Sequence, residues 1–269
     1  MSVFRLVGVV MMLFFSVSTA GALQIPKVSV GLADVIAAVE SPFRPDRNGT
    51  SELVSVEADF FQRSTLADKK REFRADGRMS LKPETESVPL KFRFEYYRPT
   101  RHEVICDGRT LWVYLPENRQ VIMSDVEEFF DPQRNNPLRD RGINFLQGLG
   151  RISKDFTITF ATQATDVEGN YILELRPNRS TVTIQRLFIT VSREAVLRRI
   201  GGLPKVSAPA ALPPVQRLFA ILSTTVVDHD GNSTTMEFSN IKENEMISDM
   251  FFSFDVPANA RLVHPPTGR

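Results

Sequence analysis

Three histidines and one cysteine are the side chains best suited to bind a metal or to attack a substrate. His102, His229 and His264 lie far apart, and no pair has the i, i+4 spacing of a helical zinc site. Cys106 falls in a predicted strand beside a turn, where a buried apolar residue is the usual interpretation. A single cysteine also excludes an intramolecular disulfide. We therefore expect no metal site and no thiol nucleophile.

An acidic run could also hold a cation. Asp125, Glu127, Glu128 and Asp131 lie close together, but the spacing and the glycine of a calcium loop are both missing, which favours a solvated connection. Gly-x-Ser-x-Gly, Walker-type and Gly-x-Gly-x-x-Gly motifs are absent from the sequence as well. The sequence thus predicts no catalytic residue and no cofactor, and a protein that is not an enzyme.

Composition points to a folded protein that can form a core. The 269 residues carry a net charge of +1, so there is no basic surplus for nucleic acid. With 42% hydrophobic and 24% charged residues, the chain can bury a core and is not disordered. Phenylalanine dominates the aromatic residues, with 20 Phe compared with one Trp and four Tyr.

The first residues have the pattern of a secretory signal peptide. A basic start ending at Arg5 is followed by an apolar run at 6–17 and by small residues at 18–22. The apolar run is shorter than the roughly 20 residues that span a bilayer. We expect cleavage of residues 1–22, a periplasmic product that does not span the membrane, and a single domain over 23–269. No cysteine follows the run, so we do not expect N-terminal lipidation.

Hydrophobic periodicity then supplies the elements of a fold. Apolar residues at i, i+3, i+4 and i+7 predict a helix with one buried stripe, formed by Leu32, Val35, Ile36 and Val39. From residue 53 onward the period is two, which is typical of strands with one wet face and one dry face. Asp107-Gly108 and Asp230-Gly231 are hairpin cues.

These elements predict a mainly β protein with short helices. Its core is a curled antiparallel sheet of about 11–12 strands, which forms an incomplete β-barrel under a helical lid. Asn136-Pro137 could begin a second amphipathic helix, and a proline-rich stretch at about 201–217 reads as an exposed loop insertion.

Two interpretations of the dry face remain open: an ordinary packed core, or an apolar cavity covered by the helix and able to take hydrocarbon. For the second, the alternation selects the cavity residues Val54, Val56, Phe60, Phe73, Met79, Leu81, Phe92, Phe94 and Tyr96. A register error of one residue would invert their facing. The alternation also leaves open whether Trp112 and Tyr114 or Leu111 and Val113 point inward.

Three segments carry a family resemblance. They are, in chain order, Met79-Ser80-Leu81-Lys82-Pro83, Phe92-Arg93-Phe94-Glu95-Tyr96, and Asp107-Gly108-Arg109-Thr110-Leu111-Trp112. Together they resemble the signature of the outer-membrane lipoprotein carrier family, LolA. Within it, Asp107, Gly108, Leu111 and Trp112 form the most recognisable hairpin.

The resemblance implies a monomeric periplasmic chaperone with an unclosed barrel and a helical lid. Such a protein accepts acylated lipoproteins from an inner-membrane lipoprotein-releasing transporter and delivers them to an outer-membrane lipoprotein receptor. The family's lid is latched by an Arg that precedes a Pro. Here Lys82 precedes Pro83, so Lys82 and the nearby Arg93 are the candidate latch residues.

A second function class is an envelope sensor or lipid-binding protein that uses a similar half-barrel to regulate through an inner-membrane partner. Sensors of this type carry a further C-terminal domain, for which little room is expected after Val263. A third class, a hydrolase of envelope lipids, lacks an identifiable nucleophile and base.

Overall fold

The computed structural model describes residues 29–45, 51–67, 71–85, 89–130, 148–181, 183–201 and 218–264. Within these ranges, none of the helices combines the length and the apolar character needed to cross a lipid bilayer. The predicted signal peptide at 1–22 lies outside the described residues. So do the predicted helix start at Asn136-Pro137 and, apart from Gly201, the proline-rich stretch.

One twelve-stranded sheet organises the described part of the chain. Its strand order is β12-β6-β5-β4-β3-β2-β1-β11-β10-β9-β8-β7. All neighbours are antiparallel except β12 and β6, which run parallel. The strands are β1 (Val56–Leu66), β2 (Arg71–Lys82), β3 (Lys91–Arg98), β4 (His102–Cys106), β5 (Thr110–Leu115), β6 (Gln120–Asp125), β7 (Phe156–Thr165), β8 (Tyr171–Pro177), β9 (Arg186–Val191), β10 (Ile221–Val227), β11 (Ser233–Glu243) and β12 (Arg261–Val263).

The predicted fold class is therefore confirmed: a curled, open and almost wholly antiparallel sheet with few short helices. The two strongest turn cues are also confirmed. Gly108 joins β4 to β5 and Gly231 joins β10 to β11, each with positive φ. At Gly108 an added Cβ would lie 2.4 Å from Pro89, so both the conformation and the close approach require glycine there.

Strand register builds one continuous apolar face. Directly opposed residues in antiparallel strands point to the same side, so each row across the sheet belongs to one face. One such row runs through Val56, Leu81, Phe92, Cys106 and Leu111, all of which are buried. The sheet curls around this face, which we call the concave face.

The described residues include four α-helices beside the sheet: α1 (Leu32–Glu40), α2 (Val126–Phe130), α3 (Ile152–Asp155) and α4 (Arg193–Arg199). Helix α1 begins after Gly31, whose N–H donates to the Asp34 carboxylate at 2.8 Å. It continues into a short 3-10 helix, Ser41–Phe43. Its buried stripe packs into the concave core, as the i, i+3, i+4, i+7 pattern predicts.

The chain after β11 crosses the opposite, convex face. Residues 244–263, which we call the C-terminal strap, include a 3-10 helix at Asp249–Phe252 and end in β12. Phe252 is completely buried but lies outside the concave core cluster. Phe254 packs against Trp112 and Tyr114, with ring centroids 6.2 and 5.4 Å apart respectively. Both faces of the sheet are therefore covered, each by a different segment.

Candidate functional site

The concave face is the candidate site, and it is lined almost entirely by hydrocarbon. Phe60 lies edge-on to Phe94 and to Tyr96, with ring centroids 5.5 and 4.8 Å apart, and Phe92 lies edge-on to Phe94 at 6.0 Å. Seven of the residues selected from the sequence are buried in this cluster: Val56, Phe60, Met79, Leu81, Phe92, Phe94 and Tyr96. In this structure, the protein's own side chains fill this interior.

Two of the selected residues do not belong to the buried interior. Val54 is 48% exposed because β1 begins only at Val56, and the segment before it breaks the alternation so that Leu53 and Ser55 are buried instead. Phe73 is on the same face of β2 as Met79. However, nothing in the described part of the chain covers that end of β2, and the Phe73 side chain is 56% exposed. Strand alternation predicts a face, whereas burial also requires something above it.

Helix α1 covers one end of the concave face. Val35 and Val39 are fully buried, while Leu32 and Ile36 are partly buried and pack against the core. All four residues of the predicted lid stripe thus face the sheet, which is the placement that the helical spacing predicts.

A buried carboxylate ties the end of α1 to the segment around α3. Glu40 is only 2% exposed, and burying an ionised carboxylate is costly unless hydrogen-bonding partners compensate. Its Oε1 accepts from the Ser153 N–H at 2.5 Å, and its other oxygen pairs with Arg44. Arg44 in turn donates through Nε to the Gly150 carbonyl at 3.0 Å. We call Glu40, Arg44, Gly150 and Ser153 the lid tie.

The residues of the lid tie were not selected from the sequence. The i, i+4 spacing of Glu40 and Arg44 at a helix end was a usable signal for an ion pair. No sequence pattern pointed to Ser153 and Gly150, which meet the helix across more than 100 residues of chain.

The candidate latch residues lie on the other face of the sheet. Lys82 on β2 lies directly opposite Lys91 on β3. Arg93 lies between the inward-facing Phe92 and Phe94, so its side chain points to the opposite face. Instead of α1 they bind the C-terminal strap: Lys82 and Lys91 both donate to Asp249, and Arg93 donates to the Phe251 carbonyl at 3.1 Å. The expected latch role is corrected accordingly, since the strand pleat directs these cations outward.

The signature hairpin divides between the two faces. Leu111 and Val113 are buried in the concave cluster, so Trp112 and Tyr114 point outward to the strap. The Asp107 carboxylate accepts from the N–H groups of Arg109 and Thr110 at 2.8 and 2.7 Å. Asp107 and Gly108 therefore shape the turn and do not line the interior.

An open cleft beside the lid tie reaches the concave core. It encloses about 410 Å³, within the range of small-molecule sites. Four buried core residues also form its wall: Phe43, Leu81, Leu90 and Leu149. The rest of its lining is Arg44, Pro45, Pro83, Glu84, Thr85, Gly148, Gly150, Arg151 and Lys154. The cleft and the apolar core therefore share these four residues.

Cys106 lies in the buried row of the concave face. Burial raises the pKa of the Cys106 thiol to about 12, so the thiolate that would be needed for attack is essentially absent near neutral pH. Among the described residues, no three His, Cys, Asp or Glu side chains converge as metal ligands.

An open antiparallel barrel whose apolar concave face lies under a helix defines the structural class of this chain. The family model of the outer membrane lipoprotein carrier protein LolA matches residues 51–201, more than half of the 269 residues. The chain belongs to the LolA family.

Individual relatives are distant or matched in part. The outer-membrane lipoprotein carrier protein of Xanthomonas oryzae is 33% identical over 89 residues, which cover 33% of this chain and 39% of the relative. This chain thus spans about two fifths of the Xanthomonas relatives that it matches. The carrier protein of Chromobacterium violaceum is 23% identical over 78% of this chain and 81% of its own length.

Solved structures give looser overlaps. A LolA superfamily protein from Nitrosomonas europaea has a TM-score of 0.39 at 15% identity, covering 83% of this chain and 96% of that one. A conserved protein from Thermus thermophilus has a TM-score of 0.46 at 11% identity, covering 87% and 98%.

Proposed function

We propose that this chain is a periplasmic carrier that binds the acyl chains of lipoproteins and shuttles them from the inner to the outer membrane. The observation that carries the proposal is an open cleft whose wall includes four residues of the apolar concave core, Phe43, Leu81, Leu90 and Leu149. Family membership and the names of the relatives support it. In this proposal the mature chain is a single domain, and its partners are an inner-membrane transporter and an outer-membrane receptor.

The energetics explain why the interior must be hydrocarbon. Each methylene transferred from water to an apolar environment contributes about 0.8 kcal/mol. A lipid anchor therefore leaves a bilayer only for a surface of comparable apolarity. Phenylalanine, leucine and methionine provide that surface without polar groups that would bind one cargo too specifically.

Because the interior is filled, cargo binding requires α1 to move. The cleft offers the first contact for an acyl chain, and displacement of α1 would then expose Phe92, Phe94 and Met79 behind it. The lid tie is the polar attachment that such a movement must break. We propose the lid tie, and not Lys82 or Arg93, as the latch.

The experiment combines native mass spectrometry with a transfer assay. The full chain is secreted in a bacterial periplasm and purified without detergent. We expect a soluble complex of one carrier with one triacylated lipoprotein, which passes to outer-membrane vesicles that contain a receptor. A preparation free of any acylated species, even after incubation with inner-membrane vesicles that release lipoproteins, would refute carriage. Capture of an inner-membrane regulator without lipoprotein would favour the sensor class.

A matched pair of variants tests the cleft. Leu90 is a buried wall residue, while Leu262 is 41% exposed on the strap. Leu90→Gln should weaken acyl binding by about tenfold or more, since a buried leucine contributes roughly 1.5–3 kcal/mol. Leu262→Gln should leave binding unchanged. If the two substitutions weaken acyl binding equally, the cleft is not the acyl-binding site.

A further inference from the structure

The rim of the cleft is charged asymmetrically. Among the described residues, three cationic side chains line it, Arg44, Arg151 and Lys154, against one carboxylate, Glu84. The chain as a whole is almost neutral, with a net charge of +1. Among the described lining residues, cations therefore outnumber carboxylates where the apolar wall meets water.

The three cations differ in how far they are already neutralised. Arg44 belongs to the lid tie and pairs with Glu40. Arg151 has a looser partner in Asp155, 3.3 Å away, with about half of each side chain exposed. For Lys154, no carboxylate among the described residues lies within ion-pair distance. Arg151 and Lys154 are thus the cations available to a ligand.

From this arrangement we infer that the cleft binds an anionic lipid, with its tail against the apolar wall and its phosphate or carboxylate at Arg151 and Lys154. The inference rests on the proposed function for the tail and adds a requirement for the head group. Acyl esters and amides are neutral, so the acyl groups of a lipoprotein would leave these cations without a counter-charge.

Physical chemistry sets the size of the effect. Arginine binds phosphate and carboxylate through two parallel N–H donors, and lysine adds a point charge. Both groups lie at a solvated rim, so solvent and salt weaken the attraction. We expect the charge on the head group to contribute a preference of about tenfold and no more, and to diminish at high ionic strength.

The test compares ligands that share an acyl or alkyl tail and differ in whether the head group is charged. Displacement of a fluorescent acyl probe from the full chain is measured with 1-palmitoylglycerol 3-phosphate against 1-palmitoylglycerol, and with hexadecanoate against hexadecanol. We expect about tenfold tighter binding of at least one anion than of its neutral partner. Which pair shows the preference identifies phosphate or carboxylate as the head group.

Variants assign that preference to the rim. Arg151→Ala combined with Lys154→Ala should reduce it to less than about twofold and leave the neutral lipids unaffected. Arg176→Ala is the matched control, because Arg176 is a similarly exposed arginine, paired with Glu174 on β8 outside the cleft lining. Glu84→Gln removes the negative charge at the rim and should therefore increase the preference for the anionic lipids.

The outcomes separate this inference from the proposed function. Equal binding of charged and neutral lipids, or an equal loss of both in the double variant, would overturn the anionic head group and leave acyl carriage intact. If neither the acyl probe nor any of the four lipids binds, both are overturned.

Discussion

The two covers of the sheet are attached in different ways. Among the described residues, α1 makes no backbone hydrogen bond to a strand, and it is held by apolar side chains and the lid tie. The C-terminal strap is held through its backbone as well. Asn244 N–H donates to the Ser55 carbonyl at 3.0 Å, Arg261 N–H donates to the Arg119 carbonyl at 2.7 Å, and β12 pairs with β6.

This difference teaches which cover can move. A helix satisfies most of its own backbone hydrogen bonds, so α1 can leave the concave face without exposing unpaired strand groups. Detaching the strap would both break the strand pairing between β12 and β6 and expose the side chain of Phe252. We therefore treat α1 as the movable cover and the strap as a fixed part of the barrel, and each prediction below tests that distinction.

The largest effect is expected from the anchor of the strap. Phe252→Ala removes a completely buried ring and should lower the free energy of unfolding by about 3–5 kcal/mol. Denaturant unfolding can be followed through Trp112, the only tryptophan, which lies against Phe254. Met250→Ala, at an exposed position two residues earlier, is the control and should change stability by less than about 0.5 kcal/mol. Similar losses in both variants would mean that the strap is not anchored at Phe252.

The lid tie should affect ligand binding more than stability. Glu40→Gln keeps an acceptor for the Ser153 N–H but removes the charge that pairs with Arg44, at a cost of about 1–2 kcal/mol. We expect a severalfold faster association of an acyl probe by stopped-flow fluorescence, because α1 opens more often.

An equivalent pair on another helix provides the control for that variant. Glu194 and Arg198 form an i, i+4 ion pair on α4, with a more exposed carboxylate. Glu194→Gln should leave the association rate unchanged. If Glu40→Gln destabilises the protein without accelerating association, α1 is a structural cover and not the lid.

Local sequence patterns predict much of this fold. The alternation at β1 to β5, the apolar stripe of α1 and the glycine turns at 108 and 231 each depend on neighbouring residues alone, and all are found in the structure. The same alternation could not show where a face lacks a cover, and for that reason Val54 and Phe73 were wrongly included in the interior.

Contacts between distant segments were beyond such patterns. Lys82 was assigned to the lid because of its position before Pro83, yet its partner Asp249 lies 167 residues further along. The Glu40 contact with Ser153 spans 113 residues. Both depend on how the sheet curls and on the path of the strap, and neither is encoded in a local period.

Acid should weaken the attachment of the strap at Asp249. The Lys82 and Lys91 ammonium groups lower the pKa of Asp249 from 3.8 to about 2 by hydrogen bonding. A carboxyl group whose pKa is lowered by folding stabilises the folded state above its ordinary pKa, and this contribution is lost as the pH falls from about 4 to 2. Since Asp249 is 63% exposed, the contribution should be below about 1 kcal/mol.

Asp249→Asn isolates that contribution. At neutral pH it should reproduce the small loss of stability, and the difference from the unsubstituted protein should shrink as the pH approaches 2 or as salt is added. Trp112 fluorescence in denaturant titrations at several pH values provides the measurement. A difference that is independent of pH would contradict the ion-pair origin.

The smallest effect is expected at the uncovered end of the concave face. Phe73 shares the parity of Met79 but is solvated, so Phe73→Ser should change the free energy of unfolding by less than about 0.5 kcal/mol and leave acyl affinity unchanged. Its counterpart Phe92→Ala, in the fully buried row, should cost about 3–5 kcal/mol. Isothermal titration with an acyl ligand and denaturant unfolding give both quantities. A clear loss of acyl affinity in Phe73→Ser would show that cargo extends beyond the residues that α1 covers, and would move the boundary of the site to the far rim of the sheet.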